Sequence, residues 1–192
     1  MLSQKLSYYN IILASASPRR QQFFKELNID FTVQVKSVNE LYPSHLKAIE
    51  ITDYLADLKS KAFTNLAEND LIITSDTIVW LENEPLEKVS NEKEAFAMLK
   101  KISGKKHEVI TSVCIKTAHF QKIFNDTTQV YFKELTDEEI HYYIQNYQPF
   151  DKAGAYGIQE WIGYIGVEKI EGSYFNVMGL PVHKLYKELQ NL

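Results

Sequence analysis

The run Leu71-Ile72-Ile73-Thr74-Ser75-Asp76-Thr77-Ile78-Val79-Trp80-Leu81 constrains this chain more than any other segment. It is dominated by apolar and β-branched side chains, which suit a buried, pleated strand. A carboxylate inside such a run is costly unless it pairs with a cation, is hydrogen-bonded in a turn or binds a metal. Asp76 therefore marks either a strand-end turn that interrupts the strand or a functional group. Local conflicts of this kind gather at functional sites.

The flanking sequence supplies partners for that strand. Residues 11–14 read as a short buried strand and residues 31–35 as a second. Ser17 followed by Pro18 gives an N-cap and first turn for a helix to about Leu27, burying Phe23, Phe24 and Leu27. Apolar residues at Leu46, Ile49, Leu55, Leu58, Ala62, Phe63 and Leu66 step by threes and fours, which predicts an amphipathic helix over 45–67. Ser90 can cap a helix through about Lys101, with Gly104 in the turn beyond it. Residues 108–116 and 121–133 predict a strand pair turning at His119. Thr136 and Glu139 have capping-box spacing and open a helix to about Asn146. Residues 163–170 predict another strand, and Pro181 begins a final helix with Leu185 and Leu189 inward. The mixture argues an α/β architecture whose sheet need not be purely parallel.

At 192 residues and 45% hydrophobic content, the chain can fill a core as one domain, or one domain with two lobes. A formal net charge of −4 argues against a general nucleic-acid binder but leaves room for a local basic patch that holds a small anion. The single cysteine, Cys114, sits in an apolar alternating run and reads as a buried thiol. One cysteine permits no internal disulfide, in keeping with a reducing compartment. The first residues lack the apolar core of a signal peptide, and no run reaches the length of a membrane span. The expectation is a cytoplasmic protein without nucleic-acid or membrane partners. The five histidines show no metal-ligand spacing, and His107 and His183 read as surface or satisfied core residues.

Three segments could carry chemistry. Ser15-Ala16-Ser17-Pro18-Arg19-Arg20 takes a strand through a tight turn into a helix start, where backbone N–H groups and the helix dipole favour phosphate. Arginine can grip phosphate oxygens through two parallel hydrogen bonds. The same pattern also serves an ordinary capped helix. The second is Asp76 itself. The third is Asp151-Lys152-Ala153-Gly154-Ala155-Tyr156-Gly157-Ile158-Gln159-Glu160-Trp161-Ile162-Gly163, whose glycines permit unusual backbone angles and whose Gln159 could read a base edge. It could equally be a glycine-rich loop without a ligand. Lys61 and Lys88, taken alone, read as solvated charges.

Together these segments resemble the Maf family of nucleotide pyrophosphatases. The resemblance rests on Ile12 to Arg20, Ser75 to Val79, Leu99 to Gly104 followed by His107 and Val109, Asp151 to Gln159, and Gly172-Ser173-Tyr174 with Val177, Gly179, Leu180 and Pro181. It covers nearly the whole chain, 1–192, as a single Maf-like domain. The implied fold is an elongated mixed β-sheet flanked by helices, with two lobes and a central cleft, as in inosine-triphosphatase-like proteins. The implied activity is hydrolysis of a nucleoside triphosphate between its α and β phosphates with a divalent metal, Mg²⁺ first and Mn²⁺ or Co²⁺ as alternatives. A homodimer is also implied.

By that resemblance Asp76 is the catalytic aspartate and shares a metal with Glu40. Ser15 or Ser17 and Arg19 hold the anion, Lys61 and Lys88 are the family's lysines, and Gln159 is its glutamine. Arg19, Thr77 and Gln159 match the subfamily that takes dTTP and UTP. Ser75 stands where the family has alanine, Val89 where it has proline, and Glu160-Trp161 where it continues with glycine. Two other functions compete with this one: a house-cleaning pyrophosphatase for modified nucleotides, and a nucleotide-binding cell-division regulator without turnover.

Overall fold

A computed structural model describes residues 2–192. Seven strands form one mixed sheet in the order β2-β1-β3-β5-β6-β7, with β4 paired to β3. They are β1 (Asn10–Leu13), β2 (Thr32–Val33), β3 (Asp70–Leu81), β4 (Glu84–Leu86), β5 (Lys106–Lys116), β6 (Gln121–Phe132) and β7 (Val167–Glu171). Strand β1 runs parallel to both β2 and β3, while β4 and β7 run antiparallel to their neighbours. The helices are α1 (Leu2–Lys5), α2 (Pro18–Glu26), α3 (Ile49–Lys61), α4 (Glu92–Ile102), α5 (Asp137–Tyr147), α6 (Trp161–Gly166), α7 (Tyr174–Val177) and α8 (Val182–Gln190). The chain divides into two compact units. Among the described residues the first comprises 2–76, 111–126 and 179–192, and the second comprises 77–110 and 127–178.

In the first unit the parallel pairing sets Ile11, Ile12 and Leu13 beside Leu71, Ile72 and Ile73. All six are buried. Their continuous apolar run is what a strand covered on both faces requires. Helix α2 adds Phe23 and Phe24, and complete burial of Phe24 contributes about 2–3 kcal/mol. Helix α3 is shorter than the 45–67 expected from periodicity. It ends at Lys61, yet Phe63 and Leu66 still pack with Ile12 and Ile72 from the irregular chain beyond. Apolar spacing reports burial, and irregular chain can mimic a helical phase over one turn. Lys116 Nζ caps this helix end by donating to the carbonyls of Ser60 and Phe63 at 3.1 and 3.0 Å.

In the second unit α4 and α5 pack on a core that includes Leu99, Ile102, Val130, Ile140, Tyr143 and Ile162. The capping box at Thr136 and Glu139 forms as its spacing predicts. Asn91, one residue beyond the expected Ser90, caps α4 by accepting the Glu94 N–H, and Glu94 reaches back to the Ser90 N–H. The strand expected over 163–170 is half helix: α6 occupies 161–166 and only then does β7 begin. Ile162 and Gly166, four residues apart, are the buried residues of α6, which is a helical spacing. His107 is a core residue of β5. Its Nε2 lies 2.7 Å from the Tyr156 hydroxyl, and burial pushes its pKa down to about 4.

The glycine-rich segment depends on one backbone conformation in particular. Gly154 has φ +68°, and a Cβ there would lie 3.1 Å from a methyl of Val79. Gly154→Ala therefore combines a left-handed backbone with overpacking. We expect it to cost about 2–3 kcal/mol, lowering Tm by roughly 4–12 °C in a chain of this size. A thermal melt within 1–2 °C of wild type, on the order of experimental error, would contradict this.

Candidate active site

Asp76 lies within a continuous β3, without the interruption that a turn would introduce. The strand holds its carboxylate at 7% exposure, so a partner is obligatory. That partner is Lys59 on α3, whose Nζ donates to Asp76 Oδ1 at 2.7 Å. The same ammonium lies 3.1 Å from Glu40 Oε2. One cation thus joins a buried acid on a central strand to a more exposed acid in the chain between β2 and α3. The sequence expectation paired Asp76 and Glu40, and the fold brings them together through Lys59.

The resemblance implies Lys61 as a phosphate-holding lysine and assigns no cation to the Asp76–Glu40 pair. Lys61 instead pairs with Asp57 one turn earlier on α3 at 2.6 Å, with its side chain 67% exposed. The signal for Lys59 was present in the spacing. Ile51, Leu55 and Lys59 recur every four residues, and the first two are buried members of α3. Lys61 sits about 200° further round the same helix.

The turn from β1 into α2 forms a second cluster in the same unit. Ser15 is buried, and its Oγ accepts the Ser17 N–H at 3.3 Å. Ser17 takes the N-cap position of α2 without a side-chain capping bond, and Pro18 opens the first turn. Arg20, which was not singled out, ties the turn down. Its Nε donates to the Gly179 carbonyl at 2.8 Å, and its Nη1 donates to the Ser75 carbonyl at 3.1 Å and to Ser15 Oγ at 3.4 Å. Burial lowers the Arg20 pKa to about 10; Asp76 and Glu40 oppose the shift and Arg19 adds to it. The guanidinium stays cationic at neutral pH. The bond from Arg20 to the Ser75 carbonyl brings the start of α2 against the residue before Asp76. Arg20 could not be ranked above Arg19 from sequence, because its partners lie 55 and 159 positions away along the chain.

The remaining candidates belong to the second unit. Thr77 follows Asp76 on β3 and is half-buried. Lys88 is exposed between β4 and α4, and the adjacent Val89 is buried in that unit's core, anchoring the loop where the resemblance expects proline. Gln159 is half-buried just before α6.

Among the described residues no three His, Cys, Asp or Glu side chains gather as a metal-binding group. Asp76 and Glu40, converging on one ammonium, offer hard oxygen donors only. That set fits a hard divalent cation, which takes carboxylates and completes its shell with water and phosphate oxygens. No helix of the described residues is long and apolar enough to cross a membrane.

Residues 10–192 match the family model described as Maf-like protein. The chain is 58% identical, over the full length of both chains, to the dTTP/UTP pyrophosphatase of Flavobacterium johnsoniae. It is 54% identical to that of Phocaeicola vulgatus, over 98% of this chain and 99% of the other. Among solved structures, a HAM1 protein from Coxiella burnetii superposes with a TM-score of 0.54 at 15% identity, covering 96% of this chain and all of the other, which is a likeness of fold. With a buried aspartate on β3, a serine-arginine turn into α2 and a family match from β1 to the last residue, this chain belongs to the Maf family.

Proposed function

We propose that this chain hydrolyses dTTP and UTP to the nucleoside monophosphate and pyrophosphate, as the names of its relatives say of them. The observation that carries the proposal is the Asp76–Lys59–Glu40 group beside the arginine-bearing start of α2. A triphosphate is a polyanion, and its cleavage is mainly a problem of positioning and charge neutralisation. Arg19 and the first turn of α2 supply cationic and N–H donors for phosphate oxygens. Ser15 and Arg20 hold that turn in shape through the bonds described above. Lys88 joins the phosphate-binding set on the strength of the family resemblance, as Thr77 and Gln159 join the base-reading set.

Asp76 is the group assigned to the water. It accepts a proton as the water oxygen bonds to the α-phosphorus and the bond to the α,β-bridging oxygen breaks, releasing pyrophosphate. Lys59 holds Asp76 in one orientation and balances its charge with that of Glu40. Asp76 and Glu40 would hold a divalent ion, magnesium in the first instance, which supplies further charge neutralisation to the triphosphate. The working form we infer is a cytoplasmic homodimer.

The test is a substrate panel with purified protein and Mg²⁺, measuring pyrophosphate release from dTTP, UTP, CTP, inosine triphosphate and 7-methyl-GTP. We expect kcat/KM for dTTP and UTP to exceed the others by about tenfold or more. A higher value for inosine triphosphate or the methylated nucleotide would move the assignment to a house-cleaning role. Nucleotide binding without pyrophosphate release would move it to a regulator.

A further inference from the structure

A polar cluster inside the second unit surrounds the segment that ends in Gln159 and has no part in the chemistry above. The Tyr143 hydroxyl on α5 donates to Glu160 Oε2 and accepts the Gly157 N–H at 3.0 Å. Lys152 Nζ lies 3.2 Å from Glu160 Oε1 and 2.8 Å from Asp151. Tyr143 is fully buried, and the side chains of Lys152 and Glu160 are only 9% and 19% exposed. Such a network, with its members satisfied, fixes a segment more firmly than its separate bonds suggest. Here it fixes residues 152–160 against α5.

Gly157 shows what the clamp does to its neighbours. A Cβ at this position would come within 2.8 Å of the Glu160 carboxyl carbon and 3.0 Å of Gln159 Nε2. Both side chains are therefore folded over the same face of Gly157, and a side chain there would have to displace them. The end of the Gln159 amide on that face is the nitrogen, its donor end. A carboxylate attracts an amide NH₂ and repels an amide oxygen. The three charges Asp151, Lys152 and Glu160 leave one negative charge in excess, so the bias survives the ion pairs.

We propose that Glu160 is a positioning residue that turns the Gln159 amide so that its oxygen faces the nucleobase, selecting pyrimidines with a ring N–H, uracil and thymine, over cytosine. This rests on the assignment of Gln159 as the base-reading residue. Uracil and thymine present an N3–H donor, which an outward amide oxygen can accept. Cytosine presents a lone pair at N3, which meets that oxygen as an unpaired acceptor and loses binding.

The experiment compares kcat/KM for UTP and CTP in wild type, Glu160→Gln, Gln159→Ala and the double variant, with a thermal melt of each. Glu160→Gln keeps the size and the bond to Tyr143 but removes the charge. It should lower the UTP-to-CTP ratio about tenfold, chiefly through KM. Added to Gln159→Ala, which lowers the ratio by itself, it should change the ratio no further, because the amide it orients is gone. Tyr143→Phe, which loosens the clamp and keeps the charge, should give a smaller loss in the same direction. A wild-type ratio in Glu160→Gln, or additive losses in the double variant, overturns the role of Glu160 while leaving that of Gln159 standing. An unchanged ratio in Gln159→Ala removes the base-reading assignment, and the proposal with it.

Discussion

Asp76→Asn lowers kcat/KM for UTP by about 10³-fold and leaves the fold intact. The size of the loss follows from what amide replacement removes. An asparagine cannot take the proton from the attacking water, and it carries no charge for a divalent ion. Proton transfer by a positioned group alone is worth about 10²–10⁴-fold. The structural cost is much smaller. Asparagine matches aspartate in shape, its carbonyl oxygen can still accept from Lys59, and Lys59 keeps Glu40 at 3.1 Å as its counter-charge. The group that loses its charge is the one a buried strand tolerates least, so Asp76→Asn relieves a desolvation cost as it weakens an ion pair. Pyrophosphate release slowed by about 10³-fold, with a melting temperature at or slightly above that of wild type, is the expected pair of results. Turnover within about threefold of wild type would take Asp76 out of the chemistry, since no general base contributes so little.

How much of this was legible in the chain depends on the range of the forces involved. The β3 run, the Ser17-Pro18 helix start and the Thr136–Glu139 box are local, and each appears where its residues predict. Asp76 stood out because a carboxylate in an apolar strand is a local contradiction. Its resolution is tertiary: Lys59 reaches it from α3, 17 positions back along the chain. Arg20 is the same kind of case, since a surface-looking guanidinium next to Arg19 becomes a structural one only when Ser75 and Gly179 arrive. The half-helical stretch at 163–170 misleads for another reason. Its isoleucines, valine and tyrosine favour a strand by composition, and the spacing of Ile162 and Gly166 is too short a record to outweigh that. Glu160 could be seen as a departure from the family pattern, but its partners Tyr143 and Lys152 could not be read from its own neighbourhood.

The lysine pair on α3 gives the second large effect, because two residues of one type and two positions apart should behave in opposite ways. Lys59→Met removes the ammonium that lies 2.7 Å from Asp76 and 3.1 Å from Glu40. Asp76 then keeps a buried carboxylate without its counter-charge, a loss that costs about 3–5 kcal/mol where a pair is fully buried. Glu40 is half-exposed and water screens it, so about 2–3 kcal/mol is the better expectation. As stability that is a Tm lower by roughly 4–12 °C; separately, losing the cation that orients and neutralises the Asp76 carboxylate should lower kcat/KM for UTP by roughly 10²-fold. Lys61→Met breaks an exposed pair four residues apart on the same helix, worth about 0.3–0.5 kcal/mol, and turnover should stay within about twofold. A calorimetric titration with Mg²⁺ in the absence of nucleotide separates the site reading from a general loss of structure. With Lys59 gone the two acids repel each other and should bind the ion more tightly, whereas a merely loosened fold would bind it less well. If Lys61→Met proves the damaging change and Lys59→Met is silent, the Asp76–Lys59–Glu40 group is not the centre of this site.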